Sequence, residues 1–272
     1  MTRANVIPIA SPDDPRIAHY RNLKERDLAR EGGRFIAEGE LVVRRLLASD
    51  YQAESLLLAE KKVAAIAPLA GPQTVVYSAP HDLVNRIIGF KFHSGVMACG
   101  LRRPRLDLRE LAAEWGQRPV MIVVLPQIAN TDNMGSLIRI SSAFGADAML
   151  LGEQSCDPYY RQSIRVSMGT IFRMPMVQSE NLLNDLRLLR HELGFSLAAT
   201  VLDDDAQELR TAGRPRRMAI LFGNEAQGLA PEHVAACDRR LTIPMDRGTD
   251  SLNVSVAAGI FLYHFTRYAK AE

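Results

Sequence analysis

Cysteine is scarce in this chain: Cys99, Cys156 and Cys237 are the three. They are odd in number, far apart and form no C-x-x-C pair, which argues against a disulfide framework and against a thiolate zinc site. Reduced thiols suit the cytoplasm. Long apolar runs are missing as well. No stretch approaches the roughly 18 residues of a membrane helix, and MTRANVIPIASPDDPR at the start lacks the apolar centre of a secretory signal. The sequence therefore predicts neither membrane spanning nor secretion. Neither sign of charge dominates: 33 Lys and Arg stand against 31 Asp and Glu, and a net +2 identifies no polyanionic partner. Lysine is confined to Lys24, Lys61, Lys62, Lys91 and Lys270, so arginine supplies most of the positive charge. Arginine suits bidentate phosphate contacts, although genome base composition explains such a bias at least as well. Several catalytic signatures are also absent. There is no G-x-x-x-x-G-K-[ST], no G-x-G-x-x-G after a strand, no G-x-S-x-G and no H-E-x-x-H. P-loop, ordinary dinucleotide, serine-hydrolase and zincin sites are not signalled.

What the chain does have is apolar residues in alternating strand-like and helix-like stretches. At 272 residues, 47% of them hydrophobic, it can bury a large core, and its length predicts two domains. Residues 1–100 read as a small α/β unit. Pro15 to Ala29 is expected to be helical, followed by the strand and helix of RFIAEGELVVRRLLAS, strands at SLLLAE and TVVYSA, a helix at HDLVNRIIG and a closing strand at GVMACG. That alternation predicts a mostly parallel sheet. LRRPRLDLREL begins a linker over 101–117. From 118 to 272 the pattern is repeatedly strand then helix, opening with the continuous apolar run VMIVVL at 120–125. About six buried strands with helices on both faces predict a doubly wound sheet, with ligands at the carboxyl ends of its strands.

Three segments lie at such ends: NTDNMGSLIRISSAFG at 130–145, LFGNEAQGL at 221–229 and IPMDRGTDSLNVSVAAGI at 243–260. In the first, Gly135 permits a sharp turn, and Asn133 is expected to cap the following helix. An isolated helical arginine is ordinarily solvated. Arg139, however, sits among Leu137, Ile138, Ile140, Ala143 and Phe144, which suggests that it faces something requiring a cation. In the second, Gly223 lets a ligand approach the backbone, and Glu225 can balance an arginine or hold a cationic or hydroxylated ligand. A capped turn before Pro231 is the plain alternative. In the third, Ser251, Asn253 and Ser255 form a longer polar run than a helix cap needs, and Ile243, Pro244 and Met245 make an apolar lip able to pack on a flat ring.

Together the segments resemble the three signature motifs of the SpoU (TrmH-like) family of knotted RNA 2′-O-ribose methyltransferases. N-x-G-x-x-x-R falls on Asn133, Gly135 and Arg139. G-x-E-x-x-G falls on Gly223, Glu225 and Gly228. I-P-M…S-L-N-V-S falls on Ile243, Pro244, Met245 and 251–255. DPYYRQSIRVSMGTIFRMP is similar to the family's stretch between the first two motifs. Residues 1–100 resemble, more loosely, its L30e-like substrate-binding domain, with Ser94 where the family often has Gln.

The resemblance implies an α/β fold with a deep trefoil knot in a C-terminal parallel-sheet domain, S-adenosyl-L-methionine as cofactor, and no metal. It implies contacts to the cofactor from Phe222, Gly223, Ile243, Met245 and Leu252. Catalysis falls to Arg139, Asn133, Glu225 and Asn253. Arg139 acts either as general base or as a phosphate-binding, electrostatic group. Asn133 orients Arg139 or the ribose, and Glu225, Asn253 and Ser251 order the site. Arg161, Arg165 and Ser167 are expected to contact RNA, with Tyr159 and Tyr160 either stacking on bases or packing as a pair at the domain or dimer surface. The implied partners are RNA, ribosomal rather than transfer RNA, and a second copy of the chain in a homodimer. The competing readings are a non-catalytic RNA-binding or ribosome-assembly protein and a small-molecule methyltransferase.

Overall fold

Short apolar runs become strands and amphipathic stretches become helices in the computed structural model, which describes residues 5–21, 23, 33–246 and 251–268. Two compact units result: Met1–Pro104 with Asp157–Arg173, and Arg105–Cys156 with Met174–Glu272. The first contains β1 (Val6–Pro8), β2 (Arg34–Glu38), α1 (Glu40–Leu47), β3 (Ala53–Ala59), α2 (Glu60–Ile66), β4 (Val75–Ala79), α3 (His81–Ile88) and β5 (Val96–Leu101). Each helix buries the stripe its spacing dictates. On α3 these are Leu83, Val84, Ile87 and Ile88, and left-handed Gly89 ends the helix.

The first sheet has the order β1-β4-β3-β5-β2. Only β1, β4 and β3 run parallel, whereas β5 is antiparallel to both its neighbours. The expected mostly parallel sheet is thus a mixed one. A strand's residue pattern shows which faces are buried but not which way its neighbours run. The expected helix from Pro15 to Ala29 is a 3-10 helix over Pro15–Tyr20, with Asp14 accepting from Arg16 N. Residues 24–29 lie outside the described residues.

The rest of the chain supplies α4 (Leu108–Trp115), β6 (Val120–Leu125), α5 (Thr131–Ala143), β7 (Ala148–Leu151), α6 (Arg161–Val166), β8 (Met176–Gln178), α7 (Leu182–Arg187), β9 (Ser196–Thr200), β10 (Gln207–Glu208), β11 (Arg217–Leu221), α8 (Pro231–Ala235), β12 (Arg239–Thr242) and α9 (Val254–Tyr263). All but α6 belong to the second unit. Its seven strands, in the order β10-β12-β9-β11-β6-β7-β8, pair in parallel throughout. The run VMIVVL is β6, every residue of it 0% exposed, which explains why it reads as continuous rather than alternating. Each such aliphatic side chain contributes roughly 1.5–3 kcal/mol through burial.

Segment Asp157–Arg173 leaves the second sheet after β7 and is built into the first unit. α6 packs on β2. Tyr159 and Phe172 both lie 5.5 Å from the Phe35 ring, and the Tyr159 and Tyr51 hydroxyls meet at 2.6 Å. Arg102 pairs with Asp157 at 2.7 Å, and Arg45 Nη1 donates to Met168 O at 2.6 Å. Gly100, opposite Phe35 in the β2–β5 register, is glycine for want of space: a Cβ there would come within 2.3 Å of the Phe35 ring.

Candidate active site

The first motif begins with a helix cap. Asn130, in extended conformation, accepts at its side-chain oxygen from Asp132 N at 2.7 Å and Asn133 N at 3.2 Å. The cap is therefore Asn130 and not the expected Asn133. The reason is backbone geometry: Asn133 is already within the first turn of α5, where its side chain projects away from the helix end.

That freed side chain joins all three motifs. Asn133 Nδ2 donates to Glu225 Oε1 at 2.9 Å, and Asn133 Oδ1 accepts from Asn253 Nδ2 at 3.0 Å. Glu225 Oε1 also lies 3.4 Å from Asn130 N. Asn253 is itself the cap of α9, accepting from Ser255 N at 2.9 Å. Near the surface the bond between the two neutral asparagine amides contributes only about 0.5–1.5 kcal/mol. What the chain of bonds supplies is orientation: both amides have fixed faces, and one Glu225 oxygen is held. Asn133 does not meet Arg139. Arg139 is exposed on α5 and makes no hydrogen bond or ion pair among the described residues.

Beside this network the carboxyl ends of β9, β11 and β12 and the start of α9 enclose a cavity of about 500 Å³. Phe222, Gly223, Ile243, Met245 and Leu252 all line it, as do Glu225 and Ser251. Phe222, 1% exposed, forms its floor in an edge-to-face contact with Phe261, ring centroids 5.9 Å apart. Sequence reasoning missed part of the wall: Thr200, Val201 and Leu202 at the end of β9, and Val254, Ala257 and Phe261 on α9. The signal for the first three was the strand FSLAATV ending at a polar run, DDD, on the same carboxyl edge. The need for Gly223 also differs from expectation. A Cβ there would meet Gly228 and Leu229 backbone atoms at 2.3–2.7 Å, so its own loop, not a ligand, demands glycine.

The residues expected to touch RNA lie in the first unit. Arg161 pairs with Glu38, which is 8% exposed, and its guanidinium lies 4.7 Å from the Phe90 ring. Ser167 is fully buried. Its hydroxyl donates to Ile164 O at 2.8 Å and accepts from Gly169 N at 3.2 Å, so it finishes α6 and has no surface to offer a ligand. Tyr159 packs against Phe35 in the core of the first unit, with its hydroxyl on that of Tyr51, a placement that neither expected role described. Arg165 alone of the three expected contacts is exposed, its Nε 3.2 Å from Gln162 Oε1. Among the described residues no group of three or more His, Cys, Asp or Glu is placed to hold a metal ion, and no helix is long and apolar enough to cross a membrane.

Comparison with known proteins gives the family and the fold. The sequence model described as the SpoU rRNA Methylase family matches residues 120–263. A Mycobacterium tuberculosis protein named as an uncharacterized tRNA/rRNA methyltransferase is 35% identical over 97% of this chain and 92% of its own length. A 23S rRNA (guanosine-2′-O-)-methyltransferase of Acinetobacter baylyi is 29% identical over 76% of this chain and 85% of its own. The crystal structure of an AdoMet-bound rRNA methyltransferase from Sinorhizobium meliloti superposes with a TM-score of 0.82 at 25% identity, covering 95% of this chain and 96% of that one.

Proposed function

The chain belongs to the SpoU rRNA Methylase family, and from that premise we infer that it methylates a ribose 2′-hydroxyl of RNA, with ribosomal RNA as the substrate. It is a methyltransferase, and its donor is S-adenosylmethionine. The observation that carries the reading is the Asn253–Asn133–Glu225 chain of hydrogen bonds, which brings three distant motifs to the rim of one cavity.

The cavity fits the donor on its own terms. Its volume is that of a small-molecule site, its walls are apolar at Phe222, Ile243, Met245 and Leu252, and a few polar groups converge on it. When bound, the donor supplies a methyl made electrophilic by its sulfonium. The apolar side chains of Ile243, Met245 and Leu252 would hold the donor's base, with the closed turn around Gly223 beside them.

Arg139 addresses the acceptor. A guanidinium stays protonated in proteins and is a poor base, so Arg139 supplies charge rather than proton abstraction. It binds the phosphate beside the target ribose and stabilises the oxyanion that forms as the hydroxyl proton leaves to water. Asn133, Glu225 and Asn253 hold the motif turns in register so that the hydroxyl and the methyl are aligned. Arg165 adds a phosphate contact from the first unit, which the reading treats as an L30e-like RNA-binding domain.

The reading includes a trefoil knot in the last segment. It is supported by α9, which follows β12 yet packs on α5, the helix after β6, although β9 and β11 separate β12 from β6 in the sheet. It also includes a homodimer. Val256, Ile260 and Tyr263 are 52%, 41% and 45% exposed, one apolar stripe along α9. Beside it lies a second apolar groove lined by Leu209, Pro244 and Tyr268. A cytoplasmic location accords with an RNA substrate.

The test is transfer of tritiated methyl from S-adenosylmethionine to unmodified ribosomal and transfer RNA, followed by mapping of 2′-O-methyl positions. Label on a single ribose of ribosomal RNA is the expected result. Absence of label on both RNAs, or label on a base, refutes the reading.

A further inference from the structure

We propose that Asn224 is a positioning residue for the methyl transfer, acting through Glu225; this rests on the reading of the site given above. Asn224 precedes Glu225 in the loop 223–228, and nothing in its sequence context distinguishes it from an ordinary turn asparagine. In the structure its polar groups are all engaged. Its backbone N–H donates to Gly228 O at 2.8 Å, and its carbonyl accepts from Gly228 N at 2.9 Å, closing the loop at its neck. Its side-chain Oδ1 accepts from Ala226 N at 2.9 Å and Gln227 N at 3.2 Å, which fixes the tip. Its Nδ2 donates to Gln127 O at 3.3 Å.

The last bond gives the loop its address. Gln127 lies in the short connection from β6 that ends at Asn130, the cap of α5. Asn130 N and Asn133 Nδ2 are the two groups that face Glu225 Oε1. The Glu225 loop is therefore tied to one connection at two points, by the Asn224 amide and by the Glu225 carboxylate. Glu225 is itself exposed, and a long exposed side chain held by a single anchor pivots. Two anchors on the same connection remove that freedom. The same loop lines the cavity, so one amide sets both the wall of the donor site and the direction of the carboxylate.

The test is a double-mutant cycle in the full-length chain with Asn224→Ala, Glu225→Ala and both together. Rates are measured with tritiated S-adenosylmethionine on total RNA from cells lacking the gene. Positioning through Glu225 predicts that Asn224→Ala lowers kcat by about tenfold to a hundredfold. It also predicts that the double variant is no slower than Glu225→Ala within about twofold, because the second change removes nothing further. Losses that multiply overturn the proposal, as does an Asn224→Ala enzyme with wild-type kcat. Amide hydrogen exchange of Ala226 and Gln227 needs no RNA and separates this proposal from the functional reading. Exchange about fivefold to tenfold faster in Asn224→Ala supports it, and unchanged exchange refutes it even if the wild-type chain methylates nothing. Should the alanine variant fail to fold, Asn224→Asp keeps the Oδ acceptor and loses the donor to Gln127. Separation of the roles then predicts normal exchange at Ala226 with reduced kcat, and normal kcat overturns the proposal.

Discussion

Arg139 is a lone cation on an exposed helix face, with no acidic partner among the described residues. Structural arginines in this molecule are held differently: Arg161 by Glu38, Arg34 by Glu54 at 2.7 Å, Arg102 by Asp157. An unpaired, solvated guanidinium costs little and is available to an incoming anion. Arg139→Ala is expected to lower kcat by about 10² to 10³ while calorimetric affinity for S-adenosylmethionine stays within about twofold, since none of the cavity walls is Arg139. Arg139→Lys keeps the charge but not the fork, and should fall between. A near-normal rate for the alanine variant rules out the assigned role. Motif order predicts that the second and third motifs converge on the first, and Glu225 and Asn253 do both meet Asn133, but the helix cap is Asn130 rather than Asn133. A cap is decided by backbone dihedrals over three residues, and NTDN offers two asparagines of equal propensity.

The thiols carry a second residue-scale expectation. Burial, then the Glu54 carboxylate, pushes Cys99 up to about 12, and burial, then Asp238, pushes Cys237 up to about 12. Both shifts are upward from the unfolded range near 9. The folded thiols therefore bind protons that the unfolded chain has already lost once pH exceeds about 9. Their contribution to stability is complete below that pH and declines as pH rises toward 12. The slope is at most about 1.4 kcal/mol per pH unit from each group. Urea midpoints should fall between pH 8.5 and 11, less steeply in Cys99→Ala. Midpoints that stay level or rise over that range would contradict the assignment.

At the scale of elements, the helix–strand alternation was readable because burial imprints itself on local pattern. VMIVVL is continuous because β6 is covered on both faces, and α3 is striped because one face is. The membership of 157–173 was not readable. The pairs that bind it to the first unit, Arg161 with Glu38 and Tyr159 with Tyr51, are separated by 123 and 108 residues. Neither partner announces the other. A ring cluster of Phe35, Tyr51, Tyr159 and Phe172 makes the segment part of that core. Gly100→Ala forces a methyl into the Phe35 ring and should destabilise the protein by about 1–3 kcal/mol, seen as a lower melting temperature. Tyr159→Phe, which keeps the ring and loses one hydroxyl bond to Tyr51, should cost nearer 1 kcal/mol. An unchanged melting temperature in Gly100→Ala would mean that β2 and β5 are free to part, contrary to their register.

For the whole molecule, the second sheet and its cavity follow from the general rule that parallel α/β sheets bind ligands at their carboxyl edge. That rule predicts the position of all three motifs from the strand pattern. The path of the chain after β12 is different in kind, because no local pattern encodes a threading, and only the family resemblance raised it. The stripe on α9 sits between these cases. VSVAAGIFLY is apolar all round, which in a helix packed on one side leaves an uncovered face. Its inner residues, Val254, Ala258, Phe261 and Leu262, are buried, while Val256, Ile260 and Tyr263 face outward. A second copy of the chain would bury them, and apolar surface of this kind contributes about 25 cal/mol per Å² removed from water. Val256→Glu places a charge at the most exposed point of the helix, where the isolated subunit loses about 0.5 kcal/mol or less. In a paired interface the same carboxylate would be buried without a partner, at a cost of several kcal/mol. Sedimentation velocity at micromolar concentration should therefore show the wild-type chain as a dimer and Val256→Glu as a folded monomer with an unchanged melting profile by circular dichroism. A wild-type monomer, or a Val256→Glu dimer of undiminished affinity, would remove α9 as the mating surface and leave its exposed stripe to be explained by another ligand.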